Sequence, residues 1–129
     1  MSHIALIAHD RMKPVLTEFL RQRKDWLWGR NFVATGLTAD FLEHGLDLNV
    51  NHLQPGRSGG FVQLTEMAAK GDLSLVLFFR DPEIEQDYES EVSGFVKTCI
   101  RENIPLASNP ASAELLIVGL IKMEASRKS

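Results

Sequence analysis

The stretch Phe32-Val33-Ala34-Thr35-Gly36-Leu37-Thr38-Ala39-Asp40-Phe41 decides how this chain is read. Its first three residues suit a buried strand, Thr35-Gly36 suits a turn, and a short helix to His44, stopped by Gly45, follows. A strand that turns sharply into a helix aims unpaired backbone N–H groups at whatever lies above the turn. The positive end of the helix dipole points the same way, so the turn is a ready anion site. Thr35 and Thr38 add hydroxyls able to donate to phosphate oxygens, and Gly36 permits close backbone approach. The same residue types also build ordinary turns and N-caps, so the flanking segments carry the decision.

Upstream, Ile4-Ala5-Leu6-Ile7-Ala8 is a continuous apolar run ended by His9-Asp10, the pattern of a central parallel strand. Residues 13–26 follow as a helix, with Val15, Leu16, Phe19 and Leu20 on its apolar side and Pro14 tolerated in its first turn. Arg21, Arg23 and Lys24 take the wet side, and residues 31–34 form the strand that enters the decisive turn. Downstream, Leu48-Asn49-Val50-Asn51 alternates like a more exposed strand. Residues 54–60 (Gln-Pro-Gly-Arg-Ser-Gly-Gly) carry the densest loop signal, before a helix over 61–69 closed at Lys70-Gly71. Residues 73–79 are the strongest buried strand and end in Arg80-Asp81-Pro82. An acidic, aperiodic loop over 83–91 leads to a helix over 92–101, a last strand over 104–107, and a final helix over 111–123 introduced by Asn109-Pro110. Residues 126–129 read as a frayed end.

Strands alternating with helices predict an α/β fold. The expectation is one domain over residues 1–129: a three-layer αβα arrangement on a five-stranded, mainly parallel sheet, Rossmann-like or flavodoxin-like. Such sheets bind ligands beyond the carboxyl ends of their strands. That rule gathers His9-Asp10, the 35–38 turn, the 56–60 loop and Asp81 on one edge.

Composition narrows the partners. The chain has 129 residues, 44% of them hydrophobic, and a formal net charge of −3, which gives no electrostatic case for nucleic acid or an anionic membrane surface. No apolar run reaches membrane-spanning length, and the N-terminus does not resemble a signal peptide, so a cytoplasmic location is expected. The one cysteine, Cys99, has no partner for an internal disulfide. With Val96 and Ile100 beside it, it reads as core on a helix face and not as a nucleophile.

Five spaced segments occur in order: Ile7-Ala8-His9-Asp10-x-x-Lys13, Ala34-Thr35-Gly36-x-Thr38, Gly56-x-x-Gly59-Gly60, Phe78-Phe79-Arg80-Asp81-Pro82 and Asn103-Ile104-Pro105-Leu106-Ala107-Ser108-Asn109. Together they resemble the methylglyoxal synthase family over nearly the whole chain. The related fold also serves as a regulatory ligand-binding module of carbamoyl phosphate synthetase. The resemblance implies a methylglyoxal synthase-like fold, a homo-oligomer (often a hexamer), and a site without metal or organic cofactor. It also implies an enzyme that takes a proton from dihydroxyacetone phosphate and expels phosphate from the enediolate, leaving methylglyoxal. That chemistry needs a carboxylate base, a donor to the carbonyl oxygen and a phosphate cradle.

On this resemblance His9 is an active-site donor to substrate oxygens and Lys13 a phosphate-binding lysine. Thr35, Gly36, Thr38 and Gly56 match the cradle, and Asp10 and Asp81 match carboxylates lining the site. The chain also departs from the pattern. Phe61 stands where the family has its catalytic aspartate, Tyr88 at a second histidine, Glu91 at a companion aspartate, Leu37 at a cradle threonine and Pro55 at a serine. Arg57 adds a planar cation suited to phosphate or carboxylate. Three readings follow. One is a methylglyoxal synthase of weak or altered activity, in which Glu91, Asp10 or Asp81 would have to be repositioned to restore a base, with Glu91 or Asp10 the candidate. Another is a module binding a small phosphorylated or anionic ligand through Lys13, Arg57 and the 35–38 turn. The third is an oligomerising remnant without a ligand.

Overall fold

Along the first strand, alternate side chains point to opposite faces and both faces are buried, as a parallel sheet covered by helices requires. In the computed structural model, which describes residues 2–128, Ile4, Leu6 and Ala8 join one core cluster, and Ala5 and Ile7 the other. The sheet is made of β1 (His3–Ala8), β2 (Phe32–Ala34), β3 (Val50–His52), β4 (Leu73–Phe79) and β5 (Leu106–Ala107). Its order is β3-β2-β1-β4-β5 and every pairing is parallel, the Rossmann arrangement. The strand order reverses between β1 and β4. The β1–β4 register skips at Ser74, so Leu73 belongs to one core and Leu75 to the other.

Among the described residues six helices cover the sheet: α1 (Lys13–Arg21), α2 (Lys24–Leu27), α3 (Gly36–Gly45), α4 (Gly60–Ala69), α5 (Glu89–Arg101) and α6 (Pro110–Lys128). Leu16 and Leu20 of α1, Leu42 of α3 and Ile117 of α6 fill one core with Phe32 and Phe79. Leu64 of α4 with Phe95 and Cys99 of α5 fill the other, with Val33 and Phe78. The expected three-layer α/β domain is therefore present, and no described helix is long and apolar enough to cross a membrane.

Several boundaries differ from expectation. The predicted 13–26 helix divides at Arg23, whose φ of −128° and ψ of 38° leave the helical region. Val15 is exposed and not buried, because Leu16, Phe19 and Leu20 set the stripe and Val15 lies outside it. Ile100 is 74% exposed for the same reason: Val92, Phe95 and Cys99 define the buried face of α5. Cys99 is core as expected, and burial pushes its thiol up to about 11. The final helix continues through the segment read as frayed, to Lys128; Ser129 lies outside the described residues. Arg30 holds that extension, donating to both carboxylate oxygens of Glu124 at 2.9 Å each.

Candidate functional site

His9 directly follows β1, and its backbone N–H donates to the Phe79 carbonyl at 3.2 Å. Its ring is fixed from two sides. The Asp81 backbone N–H donates to Nδ1 at 2.8 Å, and the ring meets Phe78 edge-on, with centroids 5.6 Å apart. A ring nitrogen that accepts carries no proton, so the neutral tautomer bears its hydrogen on Nε2. Burial first, and the nearby Arg80 charge second, hold the His9 pKa below its ordinary 6.5, which keeps the ring neutral. His9 is 7% exposed, and its Nε2 is buried with no hydrogen-bond partner. A buried N–H without an acceptor is costly, and here it belongs to a residue lining the recess at the strand ends.

That recess has a volume of about 490 Å³. Lys13 enters it from the start of α1, its stem buried and its ammonium donating to the Ala8 carbonyl at 3.0 Å and to Asp10 Oδ1 at 2.7 Å. An ammonium has three donors, so one remains for a ligand. The same bond, followed by the Lys13 charge, holds the Asp10 carboxyl below its usual pKa, which makes Asp10 a weaker base. Arg57 lines the same recess from a short 3-10 turn (Gly56–Ser58) and forms no ion pair within 4 Å among the described residues.

The decisive turn behaves as an open helix end. Thr35 occupies the N-cap position of α3 but its side chain makes no capping bond. Its hydroxyl lies 3.4 Å from Thr38 Oγ1, which in turn lies 3.4 Å from the Ala8 backbone. Helix geometry leaves the Leu37 and Thr38 N–H groups without intrahelical acceptors. The Gly36 N–H is already spent, donating to the Gln54 carbonyl at 3.3 Å. The close approach that Gly36 permits is to its own chain: a Cβ there would meet the Leu53 carbonyl at 3.2 Å and the Pro55 ring at 3.4 Å.

The expected site residues thus divide. His9, Asp10, Lys13, Thr35, Thr38, Gly56 and Arg57 line one pocket. Asp81 stands behind it, 3% exposed, with its carboxylate accepting from the Glu83 N–H at 3.0 Å and facing Arg11 at 3.4 Å. Gly36 and Glu91 are not among the lining residues. Sequence reasoning missed Gln86 and Asp87, which do line the pocket. Residues 83–91 hold five acids, and no periodic signal tells which of them turns inward. Among the described residues, Asp10 and Asp87 are the carboxylates on the pocket wall.

Phe61 lies at the base of the same wall, 3% exposed, with ring centroids 5.5 Å from Phe78, 5.9 Å from Tyr88 and 5.9 Å from Phe95. Gly56 rests on this group, since a Cβ there would meet Phe61 Cε2 at 3.1 Å and the Tyr88 hydroxyl at 3.3 Å. Away from the pocket, Asp40, Glu43 and His52 form an exposed cluster with ligand atoms within 4.8 Å of one another. It is internally paired, His52 Nε2 lying 2.7 Å from Glu43 Oε1.

No family model matches the chain. Similar proteins are nonetheless clear. The chain is 41% identical over 118 residues to a methylglyoxal synthase of Thermoanaerobacterium thermosaccharolyticum, covering 92% of this chain and 88% of that one. It is 40% identical over 114 residues to a methylglyoxal synthase of Acholeplasma laidlawii, covering 88% and 93% respectively. Among solved structures, the methylglyoxal synthase of Elizabethkingia anophelis superposes with a TM-score of 0.83 at 34% identity, over 90% of this chain and 76% of that one.

Proposed function

Because the chain belongs to the methylglyoxal synthase family, we propose that its pocket binds a small phosphorylated carbonyl compound, dihydroxyacetone phosphate in the first instance, and eliminates phosphate from it slowly. The observation that carries this reading is the buried, unpartnered Nε2–H of His9. A ligand oxygen that reaches it from the recess His9 lines would satisfy it. A ligand carbonyl oxygen accepting from it gains a hydrogen bond that strengthens as negative charge develops there. The phosphate takes the third N–H of Lys13, the Arg57 guanidinium and the amides at the start of α3.

In the reaction, a base removes a proton from the hydroxymethyl carbon, and the electron pair forms an enediolate held by His9. Collapse of the enediolate breaks the carbon–oxygen bond to phosphate, and the enol left behind tautomerises to methylglyoxal. The weak step is the first. Phe61 cannot accept a proton, and Asp10 is tied to Lys13. Asp10 and Asp87 are the bases within the pocket lining; Glu91 and Asp81 serve only after rearrangement. Losing a positioned base costs roughly 10²–10⁴ in rate, or about 3–6 kcal/mol of barrier. A second reading, a ligand-binding module without turnover, is favoured by that same Asp10–Lys13 pairing. The family likeness also supports a homo-oligomer, a hexamer by resemblance, working in the cytoplasm.

The test is methylglyoxal release from dihydroxyacetone phosphate by wild type and Phe61→Asp. Slow wild-type release that rises at least tenfold in the variant, about 1.4 kcal/mol of barrier, supports the proposal. No release from either protein leaves the binding module. Fast wild-type release contradicts the role given to Phe61.

A further inference from the structure

The pocket lining combines the polar side chains of His9, Lys13, Thr35 and Thr38 with the apolar or aromatic ones of Leu37, Pro55, Phe61 and Tyr88. From this mixed lining we infer that the pocket's preferred ligand is a phosphate ester carrying a planar apolar body, its phosphate on Lys13 and the start of α3 and its body against Tyr88 and Leu37. The inference rests on the phosphate-ester reading above and specifies the class of ester.

Three observations point the same way. Leu37 is 45% exposed at the pocket rim, so it holds apolar surface that a small triose phosphate leaves wet and a larger body covers. Tyr88 leans on Phe61 with an interplanar angle of 35° and is partly exposed where it lines the pocket. Its hydroxyl stays protonated, burial being the first cause of its raised pKa, so it adds no charge to repel an anion. The volume of about 490 Å³ falls within the range of about 300–1,000 Å³ typical of ligand pockets, so there is room for a body larger than three carbons. Arg57, on the same loop as Gly56, also lines the pocket, and its planar guanidinium suits the phosphate of such an ester.

Calorimetric titration of the full chain with inorganic phosphate, methyl phosphate and phenyl phosphate tests this. Phenyl phosphate is expected to bind roughly tenfold or more tightly than methyl phosphate. In Tyr88→Ala, and in Leu37→Thr at an exposed position that folding tolerates, that ratio is expected to fall to within about twofold. Equal binding of the two esters by wild type overturns the inference while leaving the anion site standing. A ratio unchanged in both variants also overturns it. Binding of none of the three probes overturns both the inference and the reading on which it rests.

Discussion

His9 is the residue on which the proposed site turns, because one ring nitrogen is satisfied by the fold and the other is not. His9→Asn separates the two roles, since the amide oxygen can still accept from the Asp81 N–H while nothing replaces the Nε2 donor. Dihydroxyacetone phosphate is expected to bind that variant about ten- to a hundredfold more weakly, the worth of a hydrogen bond to a charged or charge-developing group. The same residue sets a pH dependence. Its folded pKa lies below 6.5, so the unfolded chain takes up the proton more readily. The stability it contributes is complete above pH 6.5 and is lost as the pH falls through the folded value. Urea midpoints measured on both sides of that pH are expected to drop on the acid side in wild type and to drop less in His9→Asn.

At the scale of elements, the glycine loop and α5 show what close packing demands. A Cβ on Gly60 would lie 2.3 Å from the Gln54 carbonyl oxygen and 3.0 Å from that of Pro55, both backbone atoms. Gly60→Ala is expected to cost about 1–3 kcal/mol. A methyl group on Gly94, inside α5, would have nothing within 4 Å of it, and Gly94→Ala is expected to gain up to about 1 kcal/mol. Urea unfolding of the two variants checks both signs. The elements themselves were legible where burial is continuous: residues 73–79 form β4 over the expected span. They were less legible where a polar contact decides an end. The helix expected from residue 92 begins at Glu89, whose side chain accepts from the Gln86 N–H at 3.0 Å and places an acid on the positive end of α5. Of the site, the segments at strand ends were legible because topology alone gathers them. The inward turn of Asp87 was not, since it depends on the path of one loop.

For the molecule as a whole, α6 leaves Leu115, Val118, Ile121 and Met123 exposed on the outside of the sheet layer, and Trp28 is 88% exposed. Apolar surface of this kind fits a chain that meets other copies of itself. Light scattering is expected to give a multiple of the 14.5 kDa chain mass, and a single species at that mass contradicts the homo-oligomer. Lys13, the open end of α3 and Arg57 are expected to act together as an anion site at the strand ends of this sheet. Calorimetric titration with inorganic phosphate, wild type beside Lys13→Ala, measures it most directly. Saturable binding by wild type is expected, with roughly tenfold or greater weakening in Lys13→Ala; equal affinity in the two proteins, or no binding by either, would contradict it.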